Sequence, residues 1–188
     1  MKRWLAIWLM LIAACVNAQV SREVPFFGSR KYEAVVLPPA LVQFTYGTEQ
    51  IDGGTTNSIS TPLTNQAGNL LVVGVAYLDN NTNTATLSDT LGNTWTALPS
   101  YIGGFAFGIW AQLFYASNSV AGSNWVTLSF ANYAGISAEY GIWEVSCASV
   151  AAPLDVEAGG DGVANYGDTA LTGNVTTTVT NTFLVAVT

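Results

Sequence analysis

The sequence contains no histidine, and no lysine or arginine follows Lys31. Its five cations, Lys2, Arg3, Arg22, Arg30 and Lys31, all fall within the first 31 residues, whereas eleven of its twelve acids lie beyond them. Nucleic acid and anionic membranes are held by Lys and Arg that neutralise phosphate. The body of this chain therefore excludes both as partners. The same lack removes the usual bases of nucleophilic catalysis, since a Ser or Cys here has no His or Lys to take its proton. Cysteine is scarce as well: Cys15 lies near the N-terminus and Cys147 sits alone in the apolar run GIWEVSC. Two such residues make no disulfide framework, and Cys147 reads as a small buried hydrophobe. No long stretch carries a 3.6-residue apolar period, which argues against a helical fold.

The N-terminus carries an export pattern. Lys2 and Arg3 precede the apolar run Trp4 to Ala14, and Val16-Asn17-Ala18 offers a small-residue cleavage site before Gln19. That run is shorter than the roughly 20 apolar residues that span a bilayer, so no transmembrane segment is expected once the signal is removed. Residues 1–18 are read as a signal peptide. In the alternative reading Ile12-Ala13-Ala14-Cys15 is a lipobox and Cys15 is lipidated. Either way the protein is expected to be secreted or held at the cell envelope. Residues 19–40, with Arg22, Arg30, Lys31 and the Pro38-Pro39 pair, read as a leader or linker, and residues 41–188 as one domain.

Within 41–188, short β-favouring runs alternate with clusters of Gly, Asn, Asp, Ser and Thr, the pattern of an all-β antiparallel β-sandwich. Expected strands cover Leu41–Tyr46, Asn69–Leu78, Thr84–Ser88, Thr94–Leu98, Phe107–Ala116, Trp125–Phe130 and Glu139–Cys147, with a weaker pair at Asn174–Val179 and Thr182–Val187. In WVTLSF, Val126, Leu128 and Phe130 share one face while Trp125, Thr127 and Ser129 share the other, so one face is expected in the core and one in water. NLLVVGVAYL is apolar on both faces and belongs in the middle of a sheet. The apolar strand FLVAV runs almost to Thr188, and the sandwich is expected to be incomplete at its C-terminal side.

Several loops offer candidate sites. SDTLGNTWT, Ser88 to Thr96, reads as a hairpin connection in which Asp89 bonds its own backbone and Gly92 supplies positive φ; its other reading is a calcium or sugar loop. DNNTNT, from Asp79, places Asp79, Asn81 and Asn83 at EF-hand spacing, but Thr84 and Thr90 stand where the Gly and the bidentate Glu are required. EAGGDGVANYGD is the better calcium candidate through Glu157, Asp161 and Asp168, beside the reading of an ordinary solvated loop. No other cofactor is expected. The carboxylates Glu139 and Glu144 fall on one strand, about 17 Å apart and on opposite faces, against the ~5–9.5 Å of a glycosidase pair. The aromatic loop PSYIGGFAFGIW presents Tyr101, Phe105 and Phe107, and NYAG adds Tyr133. These four rings are the candidate ligand-binding residues, suited to stacking on a sugar, although core or loop-anchoring roles compete for them.

Read in order, QAGNLLVVGVAY, SDTLGNTWT, EVSCASVAAPLD and VTTTVTNTFLVAV resemble the landmarks of a widespread type of secreted bacterial domain. The resemblance spans about Leu41 to Val187, with Cys147 standing where that pattern usually has Gly. It implies an immunoglobulin-like or jelly-roll sandwich on exported and surface proteins, followed by further strands and without an established catalytic set. The expected function is a non-enzymatic surface module for binding or adhesion, with an extracellular polysaccharide or glycan as favoured partner. A structural spacer and a carboxylate-dependent glycoside hydrolase are the alternatives.

Overall fold

A computed structural model describes residues 8–12, 38–51, 58–78, 84–103, 108–131, 136–146, 148, 150–159, 176–179 and 182–187. Among these residues there is no helix, and every sheet is antiparallel. The elements in chain order are β1 (Trp8–Ile12), β2 (Ala40–Ile51), β3 (Ser58–Asn65), β4 (Leu70–Leu78), β5 (Ala85–Asp89), β6 (Thr96–Gly103), β7 (Ile109–Ala116), β8 (Gly122–Phe130), β9 (Ile136–Ser146), β10 (Leu154–Gly159) and β11 (Phe183–Val187). They form a five-stranded sheet in the order β2–β9–β4–β7–β6, a three-stranded sheet β3–β8–β5, and a second three-stranded sheet β10–β1–β11.

The sandwich proper is the five-stranded sheet against β3–β8–β5. Alternation decides which side chains enter it: Val126, Leu128 and Phe130 of β8 meet Val73, Val75 and Ile142 of the larger sheet in one buried cluster, while Trp125 stays about half exposed. Leu128 is fully buried, and truncating such a residue to Ala typically costs about 2–5 kcal/mol. At one end of the cluster the rings of Tyr77 and Phe130 meet 5.0 Å apart at 56°. β4 lies at the middle of the five-stranded sheet, as its two apolar faces require. Val73 and Val75 face this cluster, whereas Leu70 and Val72 face a second one with Leu113, Val145 and Val185. Val185 of β11 thereby lays the third sheet over part of the other face of the five-stranded sheet.

Three strands were not expected from sequence. β3 contains Pro62, which cannot donate to a ladder; as an edge strand beside β8 it tolerates the missing donor. β10 covers the start of the Gly-rich segment read as a loop. β1 lies within the segment read as an export signal and pairs with both β10 and β11, so that removal of residues 1–18 takes away the common neighbour of those two strands. Residues 176–179, expected as a strand, carry none.

One connection differs from the expected hairpin. β5 pairs with β8, and β6 pairs with β7. The segment from Thr90 to Trp95 therefore does not join neighbours in one sheet; it is a corner that carries the chain from one layer of the sandwich to the other.

Candidate functional site

At that corner every acceptor position of Asp89 is engaged. Its Oδ1 accepts from the backbone N–H of Leu91 at 3.0 Å and of Asn93 at 3.1 Å. Its Oδ2 accepts from Asn93 Nδ2 and from the Trp95 indole Nε1, both at 2.9 Å. Gly92 takes φ 72°, the conformation the turn requires. A carboxylate spent on four donors within its own loop acts as a latch, holding Trp95 against the core.

Glu144 is spent in a similar way in the interior. It is fully buried and accepts from Gln43 Nε2, from the Gln66 backbone N–H at 2.8 Å and from Asn69 Nδ2 at 2.6 Å. These donors come from β2 and from the β3–β4 turn, so the carboxylate ties that turn and the edge strand to β9. Asp155 accepts from the backbone N–H of Thr178 at 2.9 Å and from its hydroxyl, and the Thr178 hydroxyl holds the Asp155 carboxyl below its usual value of 3.8. The polar landmarks of the sequence thus bond to one another, Asn69 to Glu144, Asp89 to Asn93 and Trp95, and Asp155 to Thr178.

An open surface site lies elsewhere, where β2 runs along the edge of the five-stranded sheet. The alternation of β2 is inverted relative to a core strand. Gln43, whose amide reaches Glu144, faces inward, while Phe44 and Tyr46 point out and are 49% and 70% exposed. The register places Phe44 beside Trp143 and Tyr46 beside Gly141, and Gly141 in turn beside Gly74 of β4. Phe44 and Trp143 have centroids 5.0 Å apart at 37°; Phe44 and Tyr46 are 6.4 Å apart at 22°. Because the adjacent strands β9 and β4 contribute Gly141 and Gly74 in one row with Tyr46, the sheet surface drops there and leaves an open groove of about 250 Å³. Gly74, Ala76 and Gly141 form its floor, the three rings one flank, Ala186 of β11 lies across from them, and the exposed Glu139 supplies a carboxylate at its end. This volume falls just below the roughly 300–1,000 Å³ of drug-sized ligand pockets.

Glu139 and Glu144 project from opposite sides of β9, one exposed and one fully buried. Of the rings singled out in sequence, Tyr101 lies on β6, half-buried against the second core cluster, with its ring filling the space that a side chain at Gly159 would occupy. The side chains of Phe105, Phe107 and Tyr133 lie outside the described residues. Of the calcium candidates, Asp161 and Asp168 lie outside them too. Glu157 is on β10, half-buried, with Oε2 lacking a hydrogen-bond partner, and burial raises its carboxyl above the usual 4.5. Among the described residues no cluster of three or more His, Cys, Asp or Glu is placed to hold a metal ion, and Cys15 is not among them. No helix of the described residues is long and apolar enough to cross a membrane.

The groove went unseen in the sequence because about a hundred positions separate Phe44 from Trp143, and only strand register joins them. The available signal was QFTYG itself, with aromatics on one parity and Gln, Thr and Gly on the other. No family model, curated protein or solved structure matches the chain.

Proposed function

We propose that the protein is an exported, non-enzymatic β-sandwich module that binds a neutral carbohydrate on the ring and glycine surface that β2, β9 and β4 form in the groove, strands that do not pair with β1. The observation that carries this reading is the exposed Phe44–Trp143–Tyr46 ring surface beside a glycine floor. Aromatic faces pack against the C–H face of a sugar ring, and the Glu139 carboxylate can accept from its hydroxyls. With no cation in the domain, an anionic sugar would meet only repulsion, so the ligand class is neutral. The opposed directions of Glu139 and Glu144 favour binding over hydrolysis, since the two carboxylates cannot flank one glycosidic bond.

Titration calorimetry of the chain with soluble neutral oligosaccharides tests the reading. Tyr46→Ala is expected to weaken binding by roughly 1–3 kcal/mol, the scale of one or two aromatic faces, with an unchanged melting transition. Absence of binding across gluco-, manno- and galacto-configured oligosaccharides would leave the spacer reading in its place. Turnover abolished by Glu139→Gln would instead establish the hydrolase.

A further inference from the structure

The outward face of the β3–β8–β5 sheet lies on the opposite side of the sandwich from the groove and is composed in a way that packing does not demand. Register aligns Ser58, Ser129 and Thr86 in one row across the three strands, and Ser60, Thr127 and Ser88 in the next. The following row sets Pro62 opposite Trp125. On the other side of Trp125, Thr90 continues the ladder, its backbone N–H donating to the Trp125 carbonyl and its hydroxyl accepting from the Trp125 N–H. Rows of this kind repeat about every 7 Å along a strand and about 4.8 Å between strands. Three of these six hydroxyls are held within the array: Ser60 Oγ and Thr127 Oγ1 share a hydrogen bond of 2.7 Å, and Thr86 Oγ1 donates to the Ser129 carbonyl at 3.2 Å.

Two properties of this face point to its ligand. Edge strands commonly carry charged residues that discourage unwanted pairing, yet no described residue on this face is ionisable, although the chain has a net charge of −7. At its centre, Trp125 keeps 48% of its surface in water, an apolar exposure that folding does not require. A nucleic acid or other polyanion would need cations here. A rigid, uncharged lattice of groups that both donate and accept, set around one exposed indole, instead matches a surface that is itself uncharged, repeating and hydroxyl-rich, with apolar ring faces between its hydroxyls. We propose that this face is a second binding surface, through which the domain docks on an ordered, insoluble neutral polysaccharide. It goes beyond the groove and does not depend on it.

The test is depletion of the full chain from solution by microcrystalline cellulose, chitin and insoluble mannan, measured beside calorimetry with soluble oligosaccharides. Depletion by at least one polymer is expected, persisting at high salt because no ion pair is involved. Trp125→Ala should lower the partition constant by about tenfold or more while leaving soluble binding unchanged, and Tyr46→Ala should do the reverse; a failure of the groove reading is thereby separate from a failure of this one. Trp125→Thr, which keeps a strand-favouring residue on β8, guards against a misfolded Ala variant, and a melting curve accompanies each protein. The proposal is overturned by no depletion on any of the three polymers, by equal depletion with Trp125→Thr, or by a concentration-dependent dimer that Trp125→Thr dissolves, which would make this face a self-association surface.

Discussion

The indole N–H of Trp95 donates to Asp89 Oδ2 across six residues of chain, at 2.9 Å. The same carboxylate gathers Leu91 and Asn93, so a single side chain shapes the corner where the chain leaves one sheet for the other. Replacing it strands several partly buried donors, each of which costs about 1–3 kcal/mol when left unmade. Asp89→Ala is therefore expected to destabilise the domain by roughly 2–4 kcal/mol in urea unfolding. Millimolar calcium should leave the melting temperature of the unaltered protein in place, because the carboxylate has no oxygen to spare; a calcium-dependent rise abolished in Asp89→Ala would restore the ion-loop reading.

Glu144 is predicted to be a stability residue. It is fully buried without a basic partner anywhere in the domain, and what compensates it is three donors from Gln43, Gln66 and Asn69. Glu144→Leu preserves volume but leaves all three unsatisfied, with an expected loss of about 3–5 kcal/mol. Glu144→Gln retains one acceptor and turns an amide N–H₂ toward other donors, so it should lose less, roughly 1–3 kcal/mol. A variant Glu144→Leu as stable as the parent would show that these contacts carry no net weight.

What the sequence made legible follows from how local each signal is. The central place of β4 and the half-exposed pattern of β8 are encoded in consecutive residues, so period alone finds them. β3 carries only Ile59 and Leu63 as aliphatic side chains in SISTPLTN, and its place at a sheet edge is set by pairing with β8, which no local pattern reports. The Asp89 turn chemistry was readable, yet its role as a corner was not, since pairing of β5 with β8 rather than β6 is decided by tertiary contacts. For the groove, neither Gly74 nor Gly141 nor Tyr46 signals a site by itself. Their adjacency exists only after β2, β9 and β4 are set in register.

Glu157 should give the protein a pH dependence of unusual sign for a carboxylate. Burial raises its folded value above 4.5, so the folded chain binds this proton more tightly than the unfolded chain does. Its contribution then falls as pH rises from the ordinary carboxylate range through the raised value, and is flat above it. Glu157→Gln, which removes the buried charge, is expected to melt higher than the parent near neutral pH, with the difference vanishing below 4.5. Asp155, held low by Thr178, runs the other way: its support is present above the ordinary Asp value and is lost as pH falls through the lowered one. Thermal unfolding of Glu157→Gln and Asp155→Asn from neutral to acid pH separates the two, and a Glu157→Gln difference constant across that range would contradict the burial argument.

The last prediction concerns the groove floor and uses Gly141, which contributes no atoms that a ligand could prefer. A Cβ built there would lie 2.8 Å from Trp143 Cη2 and 2.9 Å from Phe44 Cε2, too close for either ring to stay. Both rings are at least partly open to solvent on that side, so in Gly141→Ala they can swing outward instead of forcing the backbone of β9 apart. The expected cost to stability is modest, about 1–2 kcal/mol, of the order of an overpacked site that can relax. The cost to binding should be larger in proportion, because the added methyl raises the floor beside Tyr46 while the displaced rings no longer share one surface. Calorimetry with the soluble oligosaccharide that the parent binds best is expected to show affinity lower by about tenfold, and binding to insoluble polymer through the Trp125 face should persist. Equal loss of affinity and of melting temperature in step would mean that Gly141 serves the sheet alone. Affinity unchanged beside a small drop in stability would place the sugar elsewhere than between Phe44, Tyr46 and Trp143.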